Sequence, residues 1–298
     1  LLLARELQEL ASGTPIEFEF AQTRAGQLIL FQLRRISSKV VERWQAISFE
    51  RFSAMLDEAE SFFVRMQPRR GNLLGRGTVL SEMADWNPAE IIGTSPQPLA
   101  TSLYRMLVTE NVWRDARRIL GYRYPHSESL MVLIGGRPFI DLRNSFNSLL
   151  PSGLDDKIGE KVVNAWLKRT RAHPELHDKV EFEIAQTARD FCFFTDFRDR
   201  FDTSLSKSEL SAYERALRAL TARCLDTSSS GSLQTAMGGV SMLQRRQRNP
   251  SFQQLVGVPA LHRAKALLEE CASLGTLPFA IIARHAFIAE TLLRSAIR

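Results

Sequence analysis

The apolar residues of this chain change their spacing near Pro151, and that change limits the architectures open to it. Before it, short alternating runs stand among helical ones; after it, three- and four-residue steps continue almost to Arg298. Alternation marks a strand with one covered face, and a 3.6-residue period marks an amphipathic helix. Few strands among many helices predict an α+β fold: a mainly helical domain with one β-hairpin, preceded by another hairpin near the N-terminus. At 298 residues the chain can bury one large core or two ordinary ones.

The first hairpin is read from Pro15 to Arg34. Ile16-Glu17-Phe18-Glu19-Phe20 alternates strictly, and Leu28 to Leu33 is an apolar run after a Gly26 turn. Lys39 to Met66 then has helical spacing, closed by Pro68-Arg69-Arg70-Gly71. Asn87-Pro88-Ala89-Glu90 has the form of a helix start, with Glu90 placed to reach back to the cap amide. Pro98 to Leu120 reads as one helix ended by Gly121. Leu130 to Ile134 and Arg137 to Leu142 flank Gly135-Gly136, a pair suited to a two-residue turn. The helices expected beyond are Asp155 to Arg171, Glu175 to about Arg198, Glu209 to Arg223, Leu233 to Arg245, Pro259 to Leu274 and Phe279 to Ile297. Ser206-Lys207-Ser208-Glu209 is a capping box.

Composition removes several classes. With 44% hydrophobic and 24% charged residues the chain is neither disordered nor fibrous. The most apolar stretch, Ala272 to Ala283, is cut short by Arg284, which argues against a membrane span. Cys192, Cys224 and Cys271 form no C-x-x-C pair, so a reducing, cytoplasmic setting is expected. The sequence opens on Leu1 and reads as a piece of a longer chain. The net charge of +6 makes a polyanion worth testing. Its basic clusters, Arg69 and Arg70, Arg114 to Arg118, Lys168 to Arg171 and Arg245 to Arg248, nevertheless read as solvated helix faces, so nucleic acid is not an expected partner.

The first hairpin carries the chemistry. With the turn centred on Arg24 and Ala25, Glu17 faces Gln32, Glu19 faces Leu30, and Arg34 lies just past the first strand's end. One face then holds a carboxylate, an amide oxygen and a guanidinium. Mg²⁺ accepts such hard oxygens while keeping phosphate and water ligands, and Arg forks onto phosphate. Any half-exposed hairpin shows the same alternation, so spacing alone leaves both readings open.

The run Pro15-Ile16-Glu17-Phe18-Glu19-Phe20, a turn, then Leu30-Phe31-Gln32-Leu33-Arg34 resembles the end of the ATP-grasp domain in the phosphoenolpyruvate synthase and pyruvate, phosphate dikinase family. Pro15 and Arg35 depart from that family's pattern, which has Asp and Pro there. The resemblance implies Glu17 and Gln32 as metal ligands at the ATP phosphates and Arg34 as a phosphate contact. It implies Mg²⁺ and ATP as cofactor and substrate, and pyruvate, phosphoenolpyruvate or a related acceptor reached through a phosphohistidine. Asp85 to Gly93, Asp141 to Asn147, Leu176 to Glu183 and Gly275 to Phe279 are similar to the stretch that follows in some such proteins, where the family assigns no roles.

On this reading residues 1–36 close the ATP-grasp domain, 37–75 form a connecting helix and linker, and 76–298 form the helical middle domain. The front of the ATP-grasp domain and the Gly-Gly-x-x-Ser-His run are not in these 298 residues, so adjoining domains would have to supply them and the fragment alone is expected not to turn over. A non-catalytic helical interaction module is the other expectation. Further polar groups offer less. His173, His177 and Glu181 have metal-like spacing, but Pro174 turns His173 into a cap. Asp141, Arg143, Asn144 and Asn147 gather at a strand end, where an ion pair with turn caps explains them as well as a ligand does. Gly71, Gly75 and Gly77 lack a Gly-Lys-Ser/Thr and read as a mobile linker.

Overall fold

A computed structural model describes residues 2–12, 16–23, 25–35, 49–68, 71–126, 129–201, 204–248 and 259–298. Pro15, Arg24, Arg69, Arg70 and the first part of the helix expected from Lys39 lie outside them. The chain divides into two units, Leu1–Asp57 and Glu58–Arg298, with the division inside one helix.

The first unit holds α1 (Leu2–Leu10) and an antiparallel hairpin of β1 (Ile16–Gln22) and β2 (Leu28–Arg35). Thr23 N–H donates to the Gln27 carbonyl at 2.8 Å, and Gly26, at φ +83°, supplies the left-handed turn residue. Phe20, Leu28, Ile29, Leu30, Phe31 and Leu33 are exposed. A two-stranded ribbon with that much apolar surface in water is marginal by itself.

α2 (Phe49–Met66) leads into the second unit. There β3 (Leu80–Ser81), β5 (Arg137–Asp141) and β4 (Met131–Ile134) form an antiparallel sheet in the order β3-β5-β4. Ile134 pairs with Arg137 around Gly135 and Gly136, both left-handed, as a two-residue hairpin requires. α3 (Pro88–Ile91), α4 (Pro98–Tyr104), α5 (Val112–Leu120), α6 (Leu142–Asn147), α7 (Asp156–Ala172), α8 (Phe193–Arg200), α9 (Lys207–Cys224), α10 (Ser232–Gln247), α11 (Ala260–Glu270) and α12 (Leu277–Ile297) complete the unit. One core gathers Trp113, Ile140, Phe146, Trp166, Phe193 and Tyr213; a second, under α12, gathers Val112, Leu120, Tyr122, Ile281 and Ile288. Gly121 at φ +97° ends α5, and Ser206 with Glu209 closes the capping box of α9.

Three expectations are corrected. The helix from Pro98 to Leu120 is broken by a π-helical turn, Arg105–Thr109, and the helix from Glu175 to Arg198 by another, Val180–Ile184, followed by an extended run to Asp190. In both turns the closing amide reaches back five residues, Glu110 to Arg105 and Ala185 to Val180. The extended run keeps its polar groups satisfied through distant side chains: the Tyr213 and Tyr122 hydroxyls donate to the Gln186 and Thr187 carbonyls, and Arg189 N–H donates to Thr221 Oγ1. The third correction concerns residues 71–78, which form a buried strap. Leu73 and Leu74 belong to the interior, Asn147 accepts from Leu74 N–H at 2.8 Å, and Asn164 accepts from Arg76 N–H at 2.8 Å.

α11 and α12 are one helical run through a π-helical turn at Cys271–Thr276, which ends just before Pro278. Pro278 has no N–H to give, and the turn takes up the mismatch by bonding Leu277 N–H to the Ala272 carbonyl. By length and composition the run Ala260–Ile297 is apolar enough to cross a membrane, contrary to what the charge at Arg284 suggests. In the structure α12 packs against α5 and α10, with Ile281, Arg284, His285 and Ile288 buried.

Candidate functional site

The hairpin places its polar residues differently from the expected register. Glu17 faces Arg34 and Glu19 faces Gln32. Two one-residue shifts produce this. The turn is centred on Ala25 because Gly26 supplies the positive φ, so Gln22 pairs with Leu28; a bulge between Glu19 and Phe20 then leaves Phe31 without a partner. One shift would turn Gln32 and Arg34 to the opposite face, but two restore the side-chain parity. The three expected residues therefore still share a face, on which Glu19 now stands opposite Gln32 instead of Leu30. Arg34 Nη2 donates to Gln32 Oε1 at 2.9 Å.

This donor set fits Mg²⁺ of one kind. Among the described residues no group of three or more His, Cys, Asp or Glu side chains could form a protein cage for a metal. Glu17, Glu19 and Gln32 instead offer separate hard oxygens on an open face, and Mg²⁺ shared with phosphates and water takes only one or two of those.

A second polar centre lies buried in the second unit, and it draws on the four runs singled out above. Asp85, left-handed at φ +56°, accepts from Arg117 Nη2 at 2.6 Å and from Ser145 Oγ at 2.6 Å. The neighbouring Trp86 ring lies 6.2 Å from Phe279, and Tyr104 donates to the Trp86 carbonyl at 2.6 Å. Arg284, from α12, donates through Nε to the Tyr122 hydroxyl at 3.1 Å and through Nη2 to Thr187 Oγ1; its Nη1 stands 4.0 Å from Glu181 Oε1. The Asp85, Arg117 and Arg284 side chains are only 5–6% exposed. Asp85 and Glu181 fall inside two of the sequence runs, but nothing in the local pattern joins them to Arg117 and Arg284.

Burial raises the Glu181 carboxyl above its ordinary range, the Asp85 carboxylate adds to this, and Arg284 and Arg117 oppose it. An acid whose folded-state pKa is raised stabilises the fold most below its unfolded value, and that contribution is lost as pH rises through the folded value. Glu181→Gln, which mimics the protonated form, is expected to melt higher than wild type at pH 8 and level with it at pH 4. Thermal melts across that range check this; an equal gap at both pH values would contradict it.

The remaining sequence candidates are structural. Asp141 caps α6, accepting from Arg143 N–H at 3.0 Å and Asn144 N–H at 3.3 Å. Arg143 is fully buried and holds the Gln67, Pro68 and Gly77 carbonyls. Asn147 clamps the strap at both Leu74 groups. His173 follows the last turn of α7 and contacts Glu175 at 3.0 Å, while Glu181 turns toward Arg284. Beside the buried centre, Gln186, Asp190, Arg200, Arg294 and Arg298 line a cleft of about 30 Å³, room for about two waters rather than a substrate.

No family model, curated protein or solved structure matches this chain.

Proposed function

We propose that the chain is part of an ATP-dependent, phosphoenolpyruvate synthase-like phosphotransferase of the cytoplasm, and that its first hairpin serves the phosphate end of the ATP site. The observation that carries this reading is the shared face of Glu17, Glu19, Gln32 and Arg34. Glu17 and Gln32 would hold Mg²⁺, and Arg34, already oriented by Gln32, would fork onto a phosphate. Bound there, Mg²⁺ would neutralise phosphate charge during transfer. The exposed apolar residues of the hairpin fit a ribbon that closes a larger sheet, which adjoining domains of the same chain would provide. Those domains would also bring the phosphohistidine and the site for pyruvate, phosphoenolpyruvate or a related acceptor.

In the full-length protein Glu17→Ala is expected to lower ATP-dependent phosphoenzyme formation at least about 100-fold, the usual scale for removing one electrostatic contact from such a site. Far-UV circular dichroism should not change. A Glu17→Ala protein that phosphorylates at the wild-type rate would sink the assignment. The second reading, a non-catalytic helical interaction module, draws on the same exposed hairpin and predicts no ATP-dependent phosphoenzyme even in the wild-type protein.

A further inference from the structure

Ser232 and His285 form a nucleophile-and-base pair that the hairpin chemistry does not use. His285, 9% exposed on α12, holds Nε2 at 3.0 Å from Ser232 Oγ. Burial lowers the pKa of His285 and so favours the neutral ring, while the nearby Cys224 backbone opposes this. In the tautomer protonated at Nδ1, Nε2 accepts from the Ser232 hydroxyl. A serine within hydrogen-bond reach of a neutral imidazole is the core of an activated nucleophile.

The backbone around Ser232 suits the same role. Asp226 to Gly231 makes a tight turn in which a Cβ on Gly231 would lie 2.3 Å from the Asp226 carbonyl oxygen and 3.0 Å from that of Ser228. Only glycine fits there, and the turn delivers a half-buried Ser232 as the first residue of α10. No side chain caps that 16-residue helix, so the amides of Leu233 and Gln234 stay open beside the hydroxyl. Open amides next to a nucleophile are what a developing oxyanion requires.

We propose that Ser232 is a His285-activated nucleophile that takes an acyl group from a carboxylic ester. Ser232 Oγ attacks the ester carbonyl carbon as its proton passes to His285 Nε2, and the carbonyl oxygen becomes an oxyanion facing the α10 amides. Collapse breaks the ester C–O bond, and the alkoxide leaves with the proton from His285. Water then attacks the acyl-serine, giving its proton to His285 Nε2. The second collapse breaks the bond to Oγ, which recovers that proton, and the carboxylic acid departs.

The test treats the full chain with a fluorophosphonate probe, whose phosphorus Ser232 Oγ would attack with loss of fluoride, and maps the label by mass spectrometry. p-Nitrophenyl acetate hydrolysis is followed in parallel. Label is expected on Ser232, absent in Ser232→Ala and slowed at least about 100-fold in His285→Gln, the scale of lost general-base catalysis. Hydrolysis above the buffer rate should vanish in Ser232→Ala. Should His285→Gln not fold, loss of label from folded Ser232→Ala carries the proposal. No label on wild type beside a labelled control serine hydrolase, label retained in Ser232→Ala, or His285→Gln labelled at the wild-type rate would each overturn it.

Discussion

Replacing Arg284 with methionine is expected to destabilise the second unit by about 3–5 kcal/mol, the range seen when one partner is removed from a buried charged cluster. Arg284 answers the Tyr122 hydroxyl, Thr187 Oγ1 and the nearby Glu181 carboxyl from a site closed to water. Methionine keeps an unbranched apolar stem without the guanidinium donors, so the paired polar groups are the main loss. Adding Glu181→Leu removes the acid that Arg284→Met strands, and the double variant should recover part of the loss. Chemical denaturation of the three variants checks both statements. Additive destabilisation in the double variant would mean the two side chains do not interact.

Gly75→Ala is the second large effect, at about 2–5 kcal/mol. Gly75 sits at φ +87°, where an L side chain costs about 1–2 kcal/mol. Its added Cβ would also lie 2.7 Å from Val163 Cγ1 inside a packed core, and overpacking costs about 1–3 kcal/mol. Gly136→Ala separates the two causes, since φ is +78° but nothing stands within 4 Å. It should cost only the backbone share. If both variants melt alike, the strap is not packed against α7.

What the sequence made legible was local. Gly135-Gly136 can form little but a tight turn, Ser206 and Glu209 satisfy each other within four residues, and Gly121 takes a conformation that stops a helix. The Asn87 cap was half legible: its side chain accepts from Glu90 N–H at 3.3 Å, while its own amide donates to the Ala84 carbonyl rather than to Glu90. The misses share a long-range cause. The break after Ile184 stands because Tyr122, Tyr213 and Thr221, distant in sequence, take the backbone groups a helix would have used. The strap is held by Asn147 and Arg143, some 70 residues further along the chain. The face shared by Glu17, Gln32 and Arg34 was legible because parity survives two shifts, whereas the pairing partner depended on a bulge that no residue type announces.

The π-helical turn at Cys271–Thr276 has a consequence for how this helix can change. Each residue turns an α-helix by about 100°, so one extra residue in a turn rotates everything beyond it by that angle. α11 before the turn is exposed along most of its length, while α12 after it points Ile281, Arg284, His285 and Ile288 inward. The turn thus works as a phase shifter between two stretches of one helix. Deleting a single residue within it would swing the α12 side chains away from both Tyr122 and Ser232 while leaving the sequence of each half intact. Length at this point in the chain is therefore constrained more tightly than residue identity.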